Sequence, residues 1–301
     1  VFELLTYGII LGSIIALGAI GITLITRVAG ISNYAHGDFM TVGAYTAFVV
    51  NGTVLSGVGL LQQKIAPLSF GLGLLLALIP AAIVTALLAI AIDQWVYRPL
   101  RQRGASAILL AMVSMGIAFA VRGVIYFIWG ADFHFYTSGV RSMLFLPLGI
   151  KIRPEEIFIM LVAWGLVALT YLFLARTRMG KALRAVADNP DLARIAGIAT
   201  ERMIVWTWGI SGALASTAGV LYGIQTQLRP EMGWIFLLPL FAAVTLGGIG
   251  SMTGALVGGM VLGIAQQVST AFLLPTYKPA VAFALMVIIL LIKPEGIFGR
   301  R

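Results

Sequence analysis

R-T-R-M-G-K-A-L-R-A-V-A-D-N-P-D-L-A-R-I-A-G-I-A-T-E-R, residues 176–202, is the longest strongly charged, helix-competent stretch in the chain. It separates two runs without a charged residue, 157–175 and 203–228. A hydrocarbon core about 30 Å thick is crossed by roughly 20 apolar residues of helix, and each run is of that size. Residues 176–202 therefore read as a soluble helical loop fixed to two membrane helices, with something to touch in the water on that side.

The remaining composition agrees. Of 301 residues 60% are hydrophobic and 10% charged, with a mean hydropathy of +1.02, whereas soluble domains carry about a quarter charged residues. Further uncharged runs cover 4–26, 39–63, 65–92, 104–121, 232–277 and 279–292. Residues 232–277 suffice for two spans, with the break near G-G-I-G-S at 247–251. None of the runs shows the period-two polarity of a transmembrane barrel. The chain is read as an all-α integral membrane protein: a polytopic helical bundle of about 8–9 transmembrane helices with broken or re-entrant Gly-rich segments, forming one transmembrane domain over 1–301. With no cysteine, disulfides and thiolate metal sites are excluded. The first run is too long for a signal h-region and lacks a basic n-region, so it reads as a mature span.

Lys and Arg set the orientation. Arg98, Arg101 and Arg103, the basic residues of 176–202, and Lys293, Arg300 and Arg301 mark the cytoplasmic side. The loop 130–156 mixes Arg141, Lys151 and Arg153 with Asp132, Glu155 and Glu156, and is placed outside. Nine crossings with an outside N-terminus make a self-consistent count, and a re-entrant 34–50 or 236–249 lowers it. The net charge of +9 belongs to this topology and not to nucleic-acid binding.

I-S-N-Y-A-H-G-D-F-M-T-V-G-A-Y, residues 31–45, is the densest polar cluster beside a span. Asn33, His36, Gly37 and Asp38 read either as a broken helix lining a pathway or gate, or as a start in which Asp38 or Asn33 caps a helix at the cytoplasmic surface. Arg122 reads as snorkelling outward past Trp129 or as a pathway residue. Trp95, Tyr97 and Arg98, and later Trp206 and Trp208, read as interfacial belts. Gly247, Gly248, Gly250 and Ser251 read as a second Gly-punctuated break and as further pathway or gating candidates, weakly echoing residues 34–45 as an internal repeat would. A metal site is not expected, nor hydrolytic chemistry: there is no G-x-S-x-G and no H-E-x-x-H.

Within 176–202, residues 180–187 continue the fifth span as a helix, with Lys181 and Arg184 exposed. Asp188-Asn189-Pro190-Asp191 stops that helix and starts another: Pro190 suits a first turn and Asp188 or Asn189 its cap. Leu192, Ile195 and Ala196 give an apolar i, i+3, i+4 face on a short helix that ends at Gly197. Such a face on the inner side suits docking into a groove of a soluble partner.

Asp191-Leu192-Ala193-x-x-x-Gly197 resembles the E-A-A-x-x-x-G coupling loop of permease subunits in ABC importers, with Asp for Glu and Leu for the first Ala. Residues 31–45, G-K-A-L-R-A-V-A-D-N-P at 180–190 and L-G-G-I-G-S-M-T-G-A-L-V-G-G at 246–259 are similar to the branched-chain amino-acid permeases of that superfamily, and together they spread the similarity over most of the chain. The resemblance implies a multi-pass subunit of a prokaryotic plasma (inner) membrane, importing hydrophobic or branched-chain amino acids. Its implied partners are a second permease subunit, the same or a paralogue, two cytoplasmic ATPase subunits and an extracytoplasmic substrate-binding protein. ATP and Mg would sit on the ATPases, since this chain has no G-x-x-x-x-G-K-[ST] and is not itself an enzyme. The coupling loop at 176–202 would then engage the ATPases through Gly180, Lys181, Arg184, Asp188, Asn189, Pro190, Asp191, Ala193, Arg194, Ile195 and Gly197. A permease for urea or short amides is the alternative, and a partner-independent channel or carrier a further one. No intramembrane acidic pair suits proton or sodium coupling.

Overall fold

In hydrocarbon every backbone N–H and C=O must be paired within its own segment, and the apolar runs accordingly become helices. A computed structural model of the protein describes residues 2–55, 63, 65, 67–137, 143–146 and 150–299. The outer part of the 39–63 run, Arg141, Arg300 and Arg301 lie outside the described residues.

The first helices are α1 (Phe2–Ala29), α2 (His36–Val49), α3 (Leu72–Ile92), α4 (Arg98–Gln102) and α5 (Ala107–Trp129). A π turn, Val50–Val54, extends α2, and another, Asp93–Tyr97, joins α3 to α4. After a small antiparallel pair, β1 (Leu144–Leu146) and β2 (Ile150–Ile152), come α6 (Pro154–Arg176), α7 (Arg178–Asp188), α8 (Pro190–Ile195) and α9 (Thr200–Gln225). The chain closes with α10 (Met232–Gly247), α11 (Met252–Val268) and α12 (Lys278–Ile292). Among the described residues seven helices are long and apolar enough to cross a membrane, and α10 is a shorter apolar one. With α2 they account for all nine apolar segments read from the sequence. The break in 232–277 falls where the glycines place it, between Gly247 and Met252.

Burial sorts the helices. The apolar window of α1 is 89% buried and that of α9 72%, against 6% for α12, so α1 and α9 form the centre and α12 the periphery. In lipid, helices associate by close packing of small residues. A Cβ on Gly263 would fall on the Gly12 backbone, and one on Gly259 on Ala16, so α1 and α11 meet backbone to backbone. Replacing Gly263 with Leu is expected to wedge them apart at a cost of about 1–3 kcal/mol or more, read as a lower thermal midpoint in detergent. Gly165→Leu, whose Cβ meets open space, is expected to leave it unchanged.

The expected break in 246–259 is confined to residues 248–251, and Gly254, Gly258 and Gly259 are packing contacts of α11. Two other expectations are corrected. Trp95 is exposed as a belt residue should be, but Tyr97 and Trp208 are fully buried, stacked at 4.9 Å with 21° between their planes. Residues 180–187 do not continue α6. Thr177, with ψ 155°, breaks the helix and its Oγ1 accepts from Gly180 N at 2.9 Å to cap α7. The turn is tight enough that a Cβ on Gly180 would meet Phe173 O and Leu174.

Candidate functional site

The charged stretch folds as a helical hairpin. Gly180, Leu183 and Val186 bury one face of α7, leaving Lys181 and Arg184 outward. Asn189 is the cap of α8: its Oδ1 accepts from Asp191 N at 3.1 Å and Leu192 N at 3.0 Å, with Pro190 in the first turn. Gly197, at φ +82°, ends it. Gly197 N donates to Arg194 O at 3.0 Å and Ile198 N to Ala193 O at 2.9 Å, the paired bonds of a glycine-terminated helix.

Six residues of helix are unstable in water alone, and α8 is held by the burial of Ala193, 4% exposed. Its opposite face is free: Leu192 is 63% and Ile195 83% exposed, with the loose Asp191–Arg194 pair beside them at 3.5 Å. Asn189→Ala is expected to loosen α8 by about 1 kcal/mol, measured as faster amide exchange over 190–196 with the remaining helices unchanged.

Asp188 does not cap α8. It receives Arg27 Nη2 at 2.9 Å, tying the end of α1 to the hairpin. This contact borders a cavity of about 660 Å³ whose lining includes Arg27, Arg184, Asp188, Gly250, Ser251 and Phe298. Gly248 and Gly250 both have positive φ, +103° and +85°, which lets the 248–251 turn fold tightly; Gly248 lies against Gly299 and Gly250 beside Arg27. Ser251 caps α11 by accepting from Gly254 N at 3.0 Å, and a Cβ on Gly247 would fall on the Gly254 backbone. Gly250 and Ser251 thus share a cavity with hairpin residues and stand apart from the 33–38 cluster, which neighbours Gly18, Gly21 and Gly233.

That cluster lies inside the bundle. Gly18, whose carbonyl accepts from His36 Nε2 at 3.1 Å, is 11 residues before the end of α1, about 16 Å along the helix. The chain therefore leaves α1, climbs back through residues 30–35 and starts α2 in the interior rather than at the cytoplasmic surface. A carbonyl only accepts, so the proton sits on Nε2, and Nδ1 faces Ser211 Oγ at 3.5 Å. Asn33 Oδ1 accepts from Ala35 N at 3.0 Å, while its buried Nδ2 has no partner among the described residues. Each of Gly37 and Gly233 would drive a Cβ into the other's backbone, so the start of α2 meets the start of α10.

Asp38 neither caps a helix nor stands alone, and Arg122 does not snorkel. Arg122 Nε reaches Asp38 Oδ1 at 2.9 Å and its Nη2 reaches Oδ2 at 3.0 Å, a bidentate pair with side chains 11% and 0% exposed. Arg122 lies 15 residues into α5, about 22 Å from its inner end. The guanidinium also lies over Trp234 at 4.5 Å and Phe119 at 5.4 Å from the ring centres. Two other polar contacts hold α5 on the same side: Ser114 Oγ accepts from Tyr34 N at 3.0 Å, and Tyr126 donates to Glu231 at 2.8 Å. A helix otherwise largely exposed is thus pinned to the junction of α2 and α10. Sequence distance hid this pairing, since the partners are 84 residues apart; the signal available was one arginine and one aspartate, each inside an apolar stretch.

Apolar helices around a buried α1 and α9, with interrupted segments and one amphipathic hairpin beyond the apolar layer, define a multi-pass membrane subunit of the permease kind. The chain belongs to the family described as branched-chain amino acid transport system, permease component, whose model matches residues 4–290. It is 32% identical to the high-affinity branched-chain amino acid transport system permease protein LivH of Salmonella typhimurium, over 97% of this chain and 94% of that one. It is also 32% identical to BraD of Pseudomonas aeruginosa, over 98% and 95%. A probable LivH of Methanocaldococcus jannaschii is 30% identical over 97% and 90%.

Proposed function

We propose that this chain is the permease subunit of an ABC importer that carries branched-chain amino acids inward across the plasma membrane. The observation that carries the reading is similarity along nearly the whole chain to permeases named for that transport, and those names favour branched-chain amino acids over urea or short amides. The permease binds no ATP itself. A second permease, two ATPase subunits that hold ATP and Mg, and an extracytoplasmic binding protein complete the machine.

In this reading the α7–α8 hairpin is the coupling element, with Leu192 and Ile195 as its anchors in a groove of the ATPase. Because Gly180 clamps α7 against the end of α6 and Asp188 holds Arg27, closure of the ATPases displaces α6 and α1 together. The interrupted helices α2 and α10 pack against that moving frame, and the Asp38–Arg122 pair carries the displacement to α5. Leucine uptake into proteoliposomes holding all subunits, with binding protein outside and ATP inside, tests the proposal. Saturable uptake that needs ATP supports it; uptake by this chain alone down a gradient overturns it in favour of a carrier.

A further inference from the structure

The outer end of the bundle holds a second, open cavity of about 720 Å³, lined by residues of α1, α6, α9, α10, α11 and the start of α12. Part of its wall is apolar: Leu11, Tyr222, Phe236 and Pro239 line it, with the Tyr222 and Phe236 rings 4.4 Å apart. The charged lining is unbalanced, with Arg153, Arg229 and Lys278 against Glu156 alone. Arg153 is engaged by Glu156 at 3.7 Å. Arg229 has only a loose contact with Glu231, at 3.8 Å. Lys278 donates to the amide oxygen of Gln267 at 2.7 Å and is in no salt bridge among the described residues.

Two amides in the same lining are unsatisfied. Gln266 is 3% exposed and its Nε2 has no partner among the described residues; the buried Oε1 of Gln225 is in the same state. Buried amide atoms are almost always paired, and here one donor and one acceptor await partners beside surplus cations and an apolar wall. Pockets of this size bind small molecules by an apolar lining with a few placed polar groups.

We propose that this outer cavity is a binding site for a small zwitterion with an apolar side chain, the chemistry of an aliphatic α-amino acid. Arg229, Lys278 and the Gln266 amide take the carboxylate, Gln225 Oε1 takes the ammonium, and Leu11, Tyr222 and Phe236 take the side chain. The inference rests on the proposed function and adds a place where substrate pauses on the permease. The anionic group of a phospholipid shares part of this chemistry, but Arg153, Thr226, Arg229, Pro275 and Thr276 place the lining at helix ends and connecting turns, which favours a ligand arriving from water.

The test irradiates the complete transporter in lipid nanodiscs with a diazirine analogue of leucine that keeps both charges, and maps the modified peptides. Label is expected on the lining of this cavity, displaced by leucine and about ten-fold less well by leucinol, which lacks the carboxylate. It is expected to fall about ten-fold in the Arg229→Gln/Lys278→Gln variant and to be the same in neutral and anionic lipid. Label confined elsewhere, or displaced equally by leucinol, overturns the proposal on the wild-type protein whether or not the variant folds. Label that anionic lipid displaces, with a phospholipid retained by the wild type and lost from the variant in native mass spectra, also overturns it. Leucine uptake by the same preparation separates the failures. Uptake without label in the cavity removes this site alone, and absence of uptake removes the proposed function with it.

Discussion

Aspartate at both Leu192 and Ile195 is expected to reduce ATP-driven uptake to that of vesicles without transporter, with normal insertion and thermal stability. These side chains are 63% and 83% exposed, so the change removes little from the folded subunit. In an interface, well-packed apolar anchors are worth about 2 kcal/mol or more each, and the pair then weakens ATPase docking by roughly three orders of magnitude. Gly197 and Ala193, which match the coupling-loop pattern, are poorer test positions. Gly197 holds a positive φ and Ala193 is buried, so bulky charged residues there damage α8 itself. Binding of the ATPase subunits to the double variant, measured in detergent, checks the cause directly. Undiminished binding would assign the hairpin another role.

The second large effect belongs to Asp38 and Arg122. Removing one partner of a buried ion pair leaves an uncompensated charge, at about 3–5 kcal/mol. Asp38→Leu and Arg122→Met are each expected to lower the yield of folded subunit sharply. Replacing both with apolar residues is often neutral or stabilising, so the double variant is expected to regain the wild-type thermal midpoint. Its uptake is nevertheless expected to stay at least about ten-fold down, a loss of about 1.4 kcal/mol. A bidentate pair fixes the angle of α5 against α2 and α10, which an apolar contact does not. A double variant that regains both stability and uptake would reduce the pair to a structural clamp.

What hydropathy could disclose, it did. Run lengths give the spans, the G-G-I-G-S sequence gives the break before α11, and Asn189-Pro190 with Gly197 gives the start and end of α8, because each of these signals is local. Azimuth and long-range pairing are not local. Tyr97 and Trp208 have the composition of belt residues yet face inward to stack, and Arg122 finds Asp38 only because the chain climbs back from Ala29 to His36. The reversal at Thr177 was hidden for a related reason. Thr177 and Gly180 are tolerable within a helix, and only the packing of Gly180 against Phe173 and Leu174 shows the chain turning there. The glycines of 254–259 carry no sequence signal that separates them from those of the 247–251 break, yet they are contact points, since backbone approach in a membrane rewards the absence of a side chain.

The central claim is that the α7–α8 hairpin is the surface on which the ATPases act. The chain has no cysteine, so a single one in place of Ile195 is unique within it, and a short bismaleimide can be applied to the assembled transporter in sealed membrane vesicles. The account predicts a covalent adduct between this subunit and an ATPase subunit, whose yield changes when nucleotide is added. An assembled complex in which that cysteine joins only to lipid, or is modified by an impermeant maleimide from the outer side of intact cells, would contradict it.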